Sequence, residues 1–404
     1  MVTKYLQKDD EVKVLETHQD LLDYAAFRDK HDEWIQPYIN EMAAVGIPNE
    51  PLFVPGYCKD IRVQKNGYKQ DVEDIDLSEP ENNECIEDTG LFLVFPYNGK
   101  IVAYPTRRIA YSTICKRADD DCGTMYRFDS KYNKSVLPIN EKAERLCRDY
   151  QLYSDKCKIL LRDGKVSAAL SKGYQILPVN ELIDTLENQL RSDHPDFLFD
   201  SGQVSHEYLV VEYLLNDIEM EESFRLKLNE SGADFSTIKA GVRFATSDVG
   251  MSKVYANMFY DADGIRTALG EGIEMEHKGD ASIEKFAEKM ENLGNCFKEC
   301  EERIEKLGNI DISDVPGCVS RICEAYAGTF PKAISEAVIN ELVASRARLG
   351  TAIDVYLALN DIIQRHAKMN NVSPTRYLNL CEQVSKMMNL PYDKIDKGED
   401  FTKI

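Results

Sequence analysis

A chain of 404 residues with 43% hydrophobic content is long enough for a sizeable core and two to three domains. Its 49 Lys and Arg stand against 70 Asp and Glu, a net charge of −21, which taken whole argues against a non-specific polyanion binder. No apolar run reaches the ~18 residues of a membrane span, the N-terminal residues lack the apolar core of a signal peptide, and eleven scattered cysteines favour reduced thiols and a cytoplasmic location.

The charge is unevenly placed. Residues 1–70 carry 9 basic and 12 acidic side chains, and residues 71–90 carry nine acids and no base. Residues 91–172 reverse the sign, with 16 bases against 9 acids, and residues 173–404 return to 24 against 40. The domain layout expected from this is a helical region at 1–70, an acidic linker at 71–90, an α+β core at 91–278 and a C-terminal helical bundle at 279–404 with a frayed tail.

In chain order, clustered apolar residues from Leu21 to Phe27, then Trp34, Tyr38, Met42 and Val45, predict helix up to the stop at Gly46-Ile47-Pro48. Two β-prone runs at 91–104 flank Asn98-Gly99, the pair that supplies the positive φ angles of a tight hairpin turn. Thr106 is placed to cap a helix ending near Arg117, and another helix covers 140–153. A second hairpin turns at Asp163-Gly164, and Asn180 caps a helix that buries Leu182, Ile183, Leu186 and Leu190. Strands are expected at 206–216, 224–228, 239–245 and 251–260. From Ser282 an apolar seam running from Ile283 to Leu307 predicts one helix of about 25 residues, followed by helices at 315–327, 332–348, 351–368 and 375–388. The predicted fold class is α+β: a mixed or antiparallel sheet with flanking helices, then a helical bundle.

Motifs for catalysis are sparse. Phosphate-binding glycine loops and a hydrolase nucleophile elbow are missing, and Gly270-Glu271-Gly272 is too short a signal beside its acids. Cys296 with Cys300, and Cys318 with Cys323, read as packing thiols, so no metal, cofactor or catalytic residue is predicted. Asp119-Asp120-Asp121, with Asp163 and Asp248 near turns, leaves a metal-dependent nuclease open as an alternative.

The most informative pattern is basic and aromatic. Arg107, Arg108, Lys116, Arg117, Arg127 and Lys131 interleave with Tyr111 and Tyr126, and Arg162, Lys165 and Lys172 end the block. Cations neutralise phosphates and aromatic faces stack on unpaired bases, the combination required of a single-strand binder.

Lys172-Gly173-Tyr174 followed by Val179-Asn180-Glu181, the turn from Thr246 to Ser252, and Glu276-His277-Lys278-Gly279 ahead of a helix occur in an order that resembles a phage/plasmid-like protein family whose core is a domain of unknown function. Gly173 stands where that family usually has Arg, and Glu276 where it has a base. The resemblance implies carriage on phages, plasmids and integrated elements beside DNA-metabolism genes, and it transfers no catalytic residue. The leading expectation is a non-enzymatic mobile-element protein that binds single-stranded nucleic acid. The alternatives are an acidic protein that inhibits a host defence or DNA-processing enzyme, and the nuclease. Self-association through the 283–307 seam stays open beside bundle packing.

Overall fold

The computed structural model describes residues 6, 11–46, 62–65, 68–71, 80, 84–85, 88–119, 128–129, 134–135, 139–230, 235–346, 348–369, 372 and 374–403. It is an α+β fold in which antiparallel sheets precede a run of C-terminal helices.

Strand β1 (Lys13–Leu15) leads into helix α1 (His18–His31). Thr17 and Asp20 close a reciprocal capping box at the start of α1, which fixes where the helix begins. The chain then extends as β2 (Asp32–Ile35) and β3 (Ala43–Gly46), where the apolar spacing predicts helix. Pro37 explains the difference: it has no N–H to donate, and it biases the residue before it towards extended backbone.

After β4 (Arg62–Lys65) and β5 (Tyr68–Asp71), the predicted hairpin forms as β6 (Leu91–Tyr97) and β7 (Lys100–Pro105), with φ of 50° at Asn98 and 79° at Gly99. Most of the acidic stretch at 71–90 lies outside the described residues, but Cys85 and Thr89 are buried. Thr106 caps no helix. Its hydroxyl donates to the Leu91 carbonyl at 2.7 Å, and helix α2 (Tyr111–Lys116) follows a short 3-10 turn. Beyond β8 (Phe128–Asp129) and β9 (Lys134–Ser135), helix α3 (Ile139–Tyr150) leads to β10 (Cys157–Arg162) and β11 (Lys165–Ser171). These two form the second predicted hairpin, with φ of 52° at Asp163 and 73° at Gly164.

Helix α4 (Val179–Asp193) begins one residue ahead of Asn180 and buries the four predicted apolar side chains. Strands β12 (Leu198–Val204) and β13 (Leu209–Leu214) precede helix α5 (Ile218–Glu230), so 224–228 is helical and not a strand. Phe224 and Leu228 lie one helical turn apart and are both buried, as an amphipathic helix requires. Strands β14 (Ile238–Thr246), β15 (Val254–Ala262) and β16 (Ile265–Met275) complete a six-stranded antiparallel sheet in the order β1-β12-β13-β14-β15-β16.

The predicted helix over the 283–307 seam is two helices, α6 (Ile283–Met290) and α7 (Leu293–Gly308), separated at Glu291 and Asn292. Strand β17 (Asp311–Ile312), helices α8 (Val315–Ala325) and α9 (Lys332–Ala344), and strand β18 (Gly350–Thr351) come next. Helices α10 (Ala352–Met369), α11 (Pro374–Lys386) and α12 (Tyr392–Asp396) end the chain. The expected frayed tail is docked at α12. Tyr392 and Ile395 are fully buried, and Asp396 accepts from Ser313 N at 3.0 Å and Asp314 N at 3.1 Å.

Two cores result. The larger joins one face of the six-stranded sheet to the C-terminal helices, α4 and α1. Along β13, for example, Leu209, Val211 and Tyr213 enter this core while Glu212 faces the other side, the period of two that a half-buried strand dictates. The seam residues Phe286, Met290, Leu293, Phe297, Cys300, Ile304 and Leu307 are buried here, which removes them as a surface for self-association. The smaller core packs α2 and α3 against the β3-β6-β7 and β2-β10-β11 sheets. Helix α1 and β2 are contiguous, yet α1 packs in the larger core while Ile35 of β2 packs in the smaller, so the chain crosses between them near Asp32.

Candidate functional site

The basic block does not form one surface. Arg107 is 2% exposed; its Nε donates to Ser167 Oγ at 3.2 Å, Nη2 donates to the Arg162 carbonyl at 3.2 Å, and Asp163 lies 3.7 Å away. Lys165 is buried and pairs with Glu84. Tyr111 is buried with the Lys142 ammonium 4.4 Å from its ring centroid. Arg162 is buried in an ion cluster. These four side chains are structural and do not present charge or ring faces to a ligand in solution, because each is taken out of water and held by groups of the protein itself. Arg108, Lys116 and Lys172 are exposed, Lys172 paired with Asp155, and Arg117 is half-buried. Tyr126, Arg127 and Lys131 lie outside the described residues.

The ion cluster fastens the two cores together. Arg162 on β10 donates from Nε to Asp32 Oδ1 at 2.9 Å, and from Nη2 to both Asp248 oxygens at 2.9 Å. Arg28 on α1 reaches the same carboxylates, with Nε 2.6 Å from Asp32 Oδ2 and Nη2 on Asp248. Burial alone raises the Asp32 carboxyl, but the guanidinium groups of Arg162 and Arg28 outweigh it and hold the group down at about 2. Asp248 and Asp163, read from sequence as candidate metal ligands, are thus engaged by arginines. Among the described residues no group of three His, Cys, Asp or Glu is arranged to hold a metal ion. His206 lies beside this cluster, its imidazole kept neutral by burial and then by Arg107, Arg162, Arg28 and Lys165.

A cleft of about 590 Å³ opens where the two cores meet. It is lined by the end of β11, by Arg117 just past α2, by the β14–β15 turn with Ser252 and Lys253, by the segment after β16 with His277 and Lys278, and by Asn379 on α11. Tyr174 and His277 are stacked, with ring centroids 4.9 Å apart and planes 4° from parallel, and Trp34 lies against Tyr174 at 5.9 Å. The stack is fixed by its own backbone. Gln175 N donates to the His277 carbonyl at 2.8 Å, His277 Nδ1 lies 3.1 Å from the Gln175 carbonyl, and the Tyr174 hydroxyl donates to the Ser247 carbonyl at 3.3 Å. Gly250 has a φ of +75°, and a Cβ there would sit 2.9 Å from Leu170, so this wall of the cleft requires glycine.

The electrostatics of the cleft are uneven. Lys253 is matched by Glu274 and Glu382, and Lys278 by Glu276. Arg117 has no ion-pair partner among the described residues; its Nε is buried without a hydrogen bond, and burial lowers its pKa. His277 is 7% exposed, its Nε2 has no partner, and burial pushes the imidazole down to about 4 against the opposing hydrogen bond to Gln175. A second cavity of about 280 Å³ lies on the other face of the large sheet. Its arginines are all matched: Arg243 by Glu212, and Arg266 by Glu212, Asp200 and Asp261.

Of the predicted ligand-binding residues that are described, the cleft therefore contains Arg117 alone. It adds His277, Tyr174, Lys253, Lys278 and Asn379. Three segments singled out in the sequence, around Tyr174, Thr246–Ser252 and Glu276–Gly279, come together here from distant positions. No protein-family model, curated protein or solved structure matches the chain.

Proposed function

We propose that the protein is a non-enzymatic binding protein of nucleic-acid metabolism that holds single-stranded nucleic acid across the cleft between its two cores. One observation carries the reading: a half-buried arginine with no acidic partner among the described residues, lining a cleft built on an aromatic stack. An unmatched, partly desolvated guanidinium is costly by itself, and a phosphate is the anion its planar fork fits best. Lys253 and Lys278 share the cleft, and their pairings with glutamates are partly or largely exposed and readily exchanged. The resemblance to phage/plasmid-like proteins is the sole support for placing this activity on a mobile element.

The test is anisotropy of a short labelled single strand in a salt titration. Three phosphate contacts, at Arg117, Lys253 and Lys278, give a slope of log K against log salt of about −2. Lack of binding at ~50 mM salt, or affinity indifferent to salt, rejects the reading.

A second reading, an acidic protein that occupies the basic groove of a defence or DNA-processing enzyme, draws on the net −16 of residues 173–404 and on the withdrawal of Arg107, Arg162 and Lys165 into the interior. It requires a stoichiometric enzyme partner in a pull-down, lost when the acids of 71–90 are neutralised.

A further inference from the structure

We infer that the cleft is a site for one nucleotide unit, in which Arg117 takes the phosphate and His277 Nε2 accepts a hydrogen bond from an N–H of the base or an O–H of the sugar. The inference rests on the nucleic-acid reading and specifies what that reading leaves open.

The tautomer of His277 follows from its partner. Nδ1 lies 3.1 Å from the Gln175 carbonyl, and a carbonyl only accepts. Nδ1 must therefore carry the proton, and in the neutral ring Nε2 is left as a bare acceptor. That atom is buried and has no donor. An acceptor left unmet in the interior is costly, and a donor on a ligand recovers that cost. Turning the ring over by 180° would keep the stack on Tyr174 but set a carbon against the Gln175 carbonyl, giving up that hydrogen bond. Burial opposes protonation, so the site calls for a donor and not an anion at this position.

Arg117 makes the opposite demand. Its charge has no counter-ion among the described residues, and the glutamates in the cleft are committed elsewhere, Glu276 to Lys278 and Glu382 to Lys253 and Lys386. A single ligand that meets both demands carries an anionic group and a neutral hydrogen-bond donor. Inorganic phosphate satisfies Arg117 and a free nucleoside satisfies His277; a nucleotide satisfies both. A cleft of about 590 Å³ falls within the usual ~300–1,000 Å³ of small-molecule sites.

Calorimetry on the full chain with adenosine monophosphate, its dideoxy analogue, adenosine and inorganic phosphate tests this. The nucleotide is expected to bind at least about tenfold tighter than adenosine or phosphate, one hydrogen bond or ion pair being worth about that factor. Weaker binding of the dideoxy analogue assigns the donor to the sugar, and equal binding assigns it to the base. His277→Phe keeps an aromatic ring on Tyr174 and removes the acceptor. It should weaken the nucleotide about tenfold and leave phosphate unchanged, whereas Arg117→Ala should abolish both. The nitrogen-15 resonance of His277 Nε2 in the unaltered protein provides a readout independent of any variant, and it should move upfield on nucleotide binding as the lone pair accepts a bond. A nucleotide bound no better than phosphate, or an Nε2 resonance unmoved at saturation, overturns the inference. Oligonucleotide binding without nucleotide discrimination leaves the nucleic-acid reading standing and removes this one; nucleotide binding without oligonucleotide binding does the reverse.

Discussion

Arg162 holds Asp248 through a single nitrogen, with Nη2 2.9 Å from each carboxylate oxygen across 86 residues of sequence. The pair ties β10 of the smaller core to the turn after β14 of the larger one, and Arg28 and Asp32 complete a buried cluster of two cations and two anions. Removing one member leaves an uncompensated charge. Arg162→Ala and Asp248→Asn should each lower the unfolding free energy by about 3–5 kcal/mol in urea titrations, and an apolar replacement of both together should cost far less than the two added. Single losses under about 1 kcal/mol would mean that the cluster is open to water.

Arg107 and Arg117 are ten residues apart and should respond in opposite ways. Arg117→Ala is expected to flatten the salt slope of single-strand binding by about one unit with little change in stability. Arg107→Ala is expected to reduce stability, since it strips partners from Ser167 and Asp163, and to leave the salt slope of the folded fraction unaltered. Paired anisotropy and thermal melts separate the two. An unchanged slope for Arg117→Ala removes the phosphate role.

His277 sets a pH window. Its folded value of about 4 lies below the ordinary 6.5, so the unfolded chain takes up the proton first as pH falls. The contribution is complete above pH 6.5 and declines between 6.5 and 4, and the loss amounts to about 3 kcal/mol at the lower end. Asp32 acts lower still: its folded carboxyl sits near 2 against an ordinary 3.8, so its contribution is present above 3.8 and fades below. His277→Gln should make the fall of a stability profile between pH 6.5 and 4 shallower by about one proton, leave the share of the buried His206, and spare the lower window. A variant profile as steep as that of the unaltered protein would assign the whole window to other groups.

Gly272 belongs to packing and not to phosphate binding. A Cβ there would collide with the Asn257 amide and lie 2.5 Å from the Ala256 carbonyl on the neighbouring strand. Gly272→Ala should cost about 1–3 kcal/mol by overpacking, measured by denaturation, with nucleic-acid affinity unaffected. A fully stable variant would show that β15 and β16 yield at this point.

Local features of the fold were legible where one residue pair dictates geometry. Asn98-Gly99 and Asp163-Gly164 predict their turns because few other pairs accept two consecutive positive φ values. The helix expected through Trp34 was not formed, and the signal against it, Pro37, was in plain view within the apolar spacing. Phe224–Leu228 suits strand or helix by pattern alone, and tertiary packing decides for the helix. The cleft was only partly legible. Tyr174 and His277 stand out in the sequence, but a stack between residues 103 positions apart has no local signature. Charge counting treats every cation as surface, so it gives Arg107, Arg162 and Lys165 the same standing as Arg108 and Lys116, and only burial separates them.

Strand β1 closes the six-stranded sheet by pairing Lys13 with Val204, although every other strand of that sheet comes from residues 198–275. On a ribosome the first strand therefore emerges long before its partner. At ~5–20 residues per second, the 191 positions between them take roughly 10–40 s to synthesise. Through that interval β1 has no β12 to pair with and α1 has no α4 to pack on, so the N-terminal segment must wait for the middle of the chain before it can settle.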